Sequence, residues 1–563
     1  MILVTIVSSA LLRLSLEAGL LVKIGFNKDT ERSYKVNGKT LLKILRRNCK
    51  SKIGVKYNFK DIKCIEEFQE AFPITSYEFY EEYIEEMMKG NENILFSEKI
   101  EYFGHTSGTT GKQKLIPTTK TSRTIASKYM ALLLNRFAYD NLKEQWNYGR
   151  ALMISDIVTA TYTDGGIPIC SATSGGMKAI KNIIKYIYTS PIEVMEIKDK
   201  DTANYLHLLF ALKEKNLAYI GAPFISNILD LFRILENNYK DLISDIKKGK
   251  INRKLNLDDD IRKKLNDFLK PNVGRADELE REFNKGFKGV IKKIWPNVIY
   301  IASVTGANFS IYNDKVNYYT DYIPIYSPAY AATEATIGIN PYIKKIRYVI
   351  IPDTAFYEFI PIEEIDSDNP ATFLINELKV GEKYEIVITN YAGLYRYRLG
   401  DIVKVASYYN DSPEIEFLFR KNQVLNMVSE KTNEEQLTTA IKNSMNKLNL
   451  SLVDYTTMPD NSVTPGKYIF YCEFKEKISK IKVKQLEEIL DKELRKSNLA
   501  YDRARNNKKL GDIKMVVLKN GTFKIIKESL LKKGVSKNQI KIPRVIVNNK
   551  GVLNILRKSI IEV

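Results

Sequence analysis

Histidine and cysteine are nearly missing from this chain. Its 563 residues include two histidines, His105 and His207, and four cysteines, Cys49, Cys64, Cys170 and Cys472. So few imidazoles exclude a histidine-built metal centre and leave at most two candidates for histidine catalysis. No two cysteines form a CxxC pair, which argues against both a zinc site and a disulfide framework and points to a reducing compartment. Long apolar runs are missing too. The most apolar stretch, residues 1–22, is interrupted by Arg13 and Glu17, and its leucines predict an amphipathic or core helix rather than a targeting or membrane-spanning segment. A cytoplasmic protein that does not engage a membrane is the expectation. Acidic residues are in deficit, 67 against 87 basic, for a net charge of +20.

What is present is ordinary globular composition, 44% hydrophobic and 27% charged, enough apolar surface to offset the entropy of ordering the chain. The length exceeds what one core usually serves, so at least two domains are expected. Much of the excess charge lies at the end, where the last 63 residues carry 16 Lys and Arg against four acids. Such a tail could meet nucleic acid or an anionic membrane. No nucleic-acid motif accompanies it, so it reads as a solvated cationic surface facing a polyanionic small molecule, with no specific nucleic-acid partner.

Helical periodicity dominates residues 41–90, and Pro73 interrupts it. Patterns at 203–213 and 224–236 predict helices around a short strand, 217–221. Residues 243–287 are so highly charged that they read as a solvated helical insertion. From Val298 the pattern turns to strands, at 298–304, 384–389, 394–398 and 402–405, with turns at Ala392-Gly393 and Gly400-Asp401. Strands so close together imply antiparallel pairing, in a barrel-like sheet. After Arg420-Lys421 a separate α+β unit begins, with a strand at 467–474, a helix at 483–494, a strand at 513–518 and a helix at 523–533 ended by Gly534.

Chemistry concentrates in three places. The loop Thr106-Ser107-Gly108-Thr109-Thr110-Gly111-Lys112-Gln113-Lys114 joins glycines that admit close backbone approach to hydroxyl donors and lysines that neutralise phosphate. It is not a Walker A loop, because Gln113 stands where the metal-binding hydroxyl would be. The segment Tyr330-Ala331-Ala332-Thr333-Glu334 offers an aromatic face, a hydroxyl and a carboxylate. The run from Tyr395 to Asp401 ends in an aspartate able to accept two ribose hydroxyls. Arg123, on the helix after the loop, could pair with a carboxylate, and Tyr162 is a further candidate site residue.

In this order, the hydroxyl-rich loop, Tyr-x-x-Thr-Glu and Tyr-Arg-x-Gly-Asp resemble the three nucleotide motifs of the Gretchen Hagen Three family, acyl-acid amido synthetases within the firefly-luciferase-like adenylate-forming superfamily. The likeness extends from about Leu41 to Leu556, through segments such as Trp295-Pro296-Asn297, Tyr391-Ala392-Gly393-Leu394 and Asn538–Arg544. It implies an α/β fold, with a large N-terminal domain (1–420) of α/β sheets plus a β-barrel subdomain. A smaller mobile α+β cap (421–563) would follow, hinged at about 420–423.

The resemblance also implies an ATP-dependent ligase forming a C–N bond. A carboxylic acid attacks the α-phosphorus of ATP, and an amine such as an amino acid then displaces AMP. Glu334 would hold Mg²⁺, Tyr330 would stack on adenine beside Gly306-Ala307, and Thr333, Tyr397 and Asp401 would contact the nucleotide. Lys541 on the cap would act in catalysis, and a monomer would suffice. Two rival readings accompany this one: an acyl-CoA ligase with the same adenylate chemistry, and a basic nucleic-acid- or membrane-binding protein.

Overall fold

The computed structural model describes residues 2–105, 114–305, 312–421, 425, 427, 428, 430, 432–532, 541–546 and 549–561. The chain divides into two compact units. The first comprises Met1–His105, Leu115–Leu399 and Lys404–Glu416, and the second Thr106–Lys114, Gly400–Val403 and Phe417–Val563.

The leucine-rich start forms the helix Ile2–Thr30. Its Phe26 is fully buried, edge-on to the rings of Tyr129 and Phe137 at 6.4 and 6.0 Å, and Leu16 is buried, but Leu14 and Leu21 are 68% and 71% exposed, so the segment buries one face only and is not a helix sunk in the core. Among the described residues no helix is long and apolar enough to cross a membrane. A parallel sheet runs Arg150–Met153, Leu217–Phe224, Tyr300–Val304, Ile325–Tyr326. Its β-branched and aromatic strands are mostly buried, as expected of strands covered on both faces. A second, mixed sheet orders Leu115–Thr119, Ile100–His105, Pro168–Cys170 and Thr159–Tyr162.

The charged segment 243–287 departs from expectation. It contributes the end of Ile225–Lys248 and the helices Asp259–Asp267 and Val273–Phe283, and Ile243, Ile246, Leu265, Leu279 and Phe283 are all buried. Even Arg275 is inside, donating to the carbonyls of Leu212 at 2.8 Å and Ile294 at 2.7 Å. The apolar residues are few but recur at helical spacing, so one face is buried while the charges occupy the other.

The strand-rich region folds into a seven-stranded sheet with Ala355–Pro361 at one edge and Ala329–Ala331 at the other. Its neighbours pair antiparallel, for example Ala355–Pro361 with Lys383–Asn390. Among the described residues its order is that of an open sheet, without the closure expected of a barrel. The turn expected at Gly400-Asp401 is also corrected: both lie inside one continuous strand, Tyr397–Tyr409. Gly400 takes φ +77°, a conformation that lets the strand kink without ending.

In the second unit Leu452–Asp460 and Lys467–Phe474 pair antiparallel, and Lys514–Leu518 adds in parallel. The helices Glu434–Leu448, Lys480–Ser497 and Thr522–Lys532 accompany this sheet. The expected stop at Gly534 lies outside the described residues.

Candidate active site

Of the phosphate-loop candidates, Thr106, Ser107, Gly108, Thr109, Thr110, Gly111 and Lys112 lie outside the described residues, as do Gly306 and Ala307. Lys114 follows the loop and is half-buried. The loop is entered from the strand Ile100–His105. There Gly104 meets the Tyr-x-x-Thr-Glu segment, since a Cβ on Gly104 would stand 2.6 Å from the Thr333 methyl. Glycine at 104 thus lets the strand and the Thr333 turn approach.

That turn is itself well held. Tyr330 sits in the edge strand Ala329–Ala331, its ring 5.9 Å from that of Tyr348. The Ala332 N–H donates to the Ala335 carbonyl at 2.9 Å, projecting Thr333 and Glu334, both half-buried. The Asn390 amide donates to the Glu334 carbonyl at 2.7 Å, while its Oδ1 accepts the N–H groups of Ala392 at 2.9 Å and Leu394 at 3.0 Å. Asn390 therefore ties the second motif to the chain entering the third. Sequence reasoning missed it, because a strand-ending asparagine before Tyr-Ala-Gly reads only as a turn former. Burial, followed by the charges of Glu81 and Glu334, pushes the Tyr77 hydroxyl above its ordinary pKa. The Glu334 carboxylate and the Tyr77 phenol are thus electrostatic neighbours.

A valine at 104 should show how tightly this junction is built. Gly104→Val is expected to cost about 1–3 kcal/mol by overpacking against the Thr333 methyl. Thermal unfolding of the variant beside wild type would check it.

In the third motif Tyr397 is buried with its ring edge-on to Tyr80 at 6.1 Å. Arg396 forms a buried bidentate pair with Glu358 at 2.9 and 3.1 Å and donates to the Phe72 carbonyl at 2.8 Å. Arg398 pairs with Glu385. Both arginines serve the core. Asp401 is buried and accepts from Arg420 Nε at 2.6 Å.

The acid-binding candidates fare unequally. Arg123 is clasped by Glu101 at 2.5 and 3.0 Å, and that pairing raises its pKa. Glu101 thus takes up the Nε and Nη2 donors of Arg123. Tyr162 is 64% exposed at the end of an edge strand. His207 is structural, its Nδ1 bonded to Ser190 Oγ at 2.7 Å and its pKa pushed down to about 4 by burial. His105 is buried with Nδ1 unpartnered, and burial lowers its pKa against the opposing pull of Asp156.

In the second unit the charges converge. Lys541 has Arg420, Glu434 and Asp401 as electrostatic neighbours. Desolvation first and Arg420 second push its pKa down to about 8, with Glu434 and Asp401 pulling the other way, although its side chain keeps solvent access. The chain that follows Lys541 is tied down. Thr456 Oγ1 donates to the Pro543 carbonyl at 2.6 Å, the Thr457 N–H to the Arg544 carbonyl at 2.8 Å, and the Ile546 N–H to the Thr457 carbonyl at 2.8 Å. Lys541 therefore sits at the start of a stretch bonded to the strand Leu452–Asp460.

Asp401, Arg420 and Lys541 belong to one unit, and the Thr333–Glu334 turn belongs to the other. The chain belongs to the GH3 family: residues 23–325 match its N-terminal domain, 348–420 its central domain and 435–550 its C-terminal domain. It is 29% identical to the indole-3-acetic acid-amido synthetase GH3.3 of Arabidopsis thaliana, over 90% of this chain and 89% of that one. It is 30% identical to the 4-substituted benzoates-glutamate ligase GH3.12 of the same plant, over 86% and 88%. Its fold matches the solved GH3.15 acyl acid amido synthetase with a TM-score of 0.86 at 26% identity, covering 97% of both chains.

Proposed function

We propose that this protein is an ATP-dependent acyl-acid amido synthetase that adenylates a carboxylic acid and passes the acyl group to an amine such as an amino acid. The observation that carries this reading is the meeting of Asp401 and Lys541, remote in sequence, around Arg420 in one unit. Asp401 receives the ribose hydroxyls, sharing its carboxylate with Arg420. Tyr330 and the Gly306-Ala307 backbone take the adenine. The loop hydroxyls and Lys112 and Lys114 stabilise the charge that passes to pyrophosphate, with Thr333 completing the phosphate contacts. Lys541 balances the charge that builds as the acid's oxygen attacks the α-phosphorus.

Glu334 is an oxygen donor on a turn held by Asn390, which suits a cation that takes one or two carboxylates and otherwise phosphate and water. When bound there, Mg²⁺ would offset phosphate charge. In the second step the amine attacks the acyl carbon, its proton is lost, and AMP leaves. The cap, residues 421–563, turns about 420–423 between the two steps. The protein acts as a cytoplasmic monomer and needs neither nucleic acid nor membrane.

The test has two parts. ATP–pyrophosphate exchange with a panel of carboxylic acids should be acid-dependent. Mass spectrometry of products made with amino acids, and separately with coenzyme A, should then find an amide and no dependence on the thiol. A thioester with no amide would move the protein to the acyl-CoA ligases, and no exchange with any acid would remove the adenylating role.

A further inference from the structure

The first helix, Ile2–Thr30, takes no part in the chemistry above, and both of its long faces are apolar. One face is fixed to the body of its unit. Leu16 and Phe26 are buried there. Gly19 lies so close to the helical segment Lys128–Leu133 that an added Cβ would stand 2.7 Å from the Leu132 carbonyl oxygen. The orientation of the helix is therefore set, and with it the face turned to solvent. A surface helix ordinarily carries polar side chains on that face. Here the exposed positions include Val7, Ala10, Leu14, Glu17, Leu21 and Ile24, followed by Lys28. Their spacing alternates between three and four residues throughout, which is the a and d pattern of a coiled-coil seam.

The charges on and beside this seam decide what can cover it. Glu17 lies at its middle and is exposed, and among the described residues it forms no ion pair of 4.0 Å or less. Arg13, one turn earlier and also exposed, rests its guanidinium 4.2 Å over the Tyr148 ring. A carboxylate at the centre of the face opposes docking on an anionic lipid surface. A parallel pair of such helices would set Glu17 against Glu17 and Lys28 against Lys28.

We propose that this face pairs with the same face of a second copy of the chain, the two helices running antiparallel about a twofold axis between Ser15 and Leu16. In that register a positions meet d positions. Val7 faces the second copy's Ile24, Ala10 its Leu21 and Leu14 its Glu17. Each Glu17 then enters a hole lined by Ala10, Arg13 and Leu14 of the other copy, where its carboxylate meets the Arg13 guanidinium. Symmetry makes the ion pair twice. The charges that oppose a parallel pair thus specify the antiparallel one, the role best attested for polar groups in such seams. The helix is already packed on its own unit, so little ordering remains to be offset when two copies meet. Each chain keeps its own candidate site, and one chain still suffices for the reaction.

Sedimentation of the full chain over a range of concentrations should show a monomer–dimer equilibrium. Leu21→Glu, at an exposed position, puts a carboxylate opposite Ala10 and should abolish the dimer while leaving thermal unfolding unchanged at concentrations where wild type is monomeric. Glu17→Arg and Arg13→Glu should each weaken the dimer about tenfold or more, the scale of a like-charge contact at an interface. The protein carrying both exchanges should recover most of that loss, because the pair is restored with its signs reversed. In a parallel pair Arg13→Glu alone would change nothing. A wild-type chain that stays monomeric at every concentration, a dimer indifferent to Leu21→Glu, or single losses that the double exchange does not restore would each overturn the proposal. Wild type is also sedimented with phosphatidylserine vesicles. Binding there that Leu21→Glu removes, without a dimer in solution, would give the face to a lipid surface and overturn the proposal as well. No arm reads catalysis, so failure of the amido synthetase reading would leave these results standing.

Discussion

Replacing Glu334 by alanine is expected to lower ATP–pyrophosphate exchange on the order of a hundredfold or more, because the lost group acts on charge that develops in the transition state. The turn that carries it is held through backbone groups, the Ala332–Ala335 bond and the Asn390 bond to the Glu334 carbonyl. Two readouts separate a metal-holding role from a packing role. The Mg²⁺ concentration giving half-maximal exchange should rise, and the midpoint of thermal unfolding should hardly move. Exchange like that of wild type would remove Glu334 from the metal role.

Lys541→Ala should slow acyl-adenylate formation by a comparable factor, while a supplied acyl adenylate is still consumed by the amine at nearly the wild-type rate. The ammonium is a compact point charge suited to the space between an attacking carboxylate and the α-phosphate, and in aminolysis no such charge builds at phosphorus. Its lowered pKa, about 8, adds a pH signature. The lysine's contribution should be complete below that value and fade as pH rises through it, in the first step only. Lys537→Ala is the control and should leave both steps unchanged. Equal losses in the two half-reactions for Lys541→Ala, or equal behaviour of the two variants, would end the cap-lysine mechanism for this protein.

Much of this was legible in the chain itself. The apolar periodicity of the first helix, the strand-rich change after Val298 and the α+β pattern of the end all stem from local rules of side-chain spacing. Those rules failed where composition masked period, as in residues 243–287, where charge hid the buried face carrying Leu265 and Leu279. They failed again at Gly400-Asp401, where the pair suggested a turn but both residues lie inside one strand, Gly400 at φ +77°.

The sequence by itself determined the order of the motifs, the types of chemistry they can hold and, through them, the family. Only the tertiary structure decided which partners those residues meet. It buried Tyr397 against Tyr80, paired Arg123 with Glu101 and paired Asp401 with Arg420. Each of these outcomes depends on a charge or ring contributed from elsewhere in the chain. A residue's neighbours along the sequence set its backbone, but Coulomb forces and desolvation act through space, and the partners are chosen only when the chain folds back on itself.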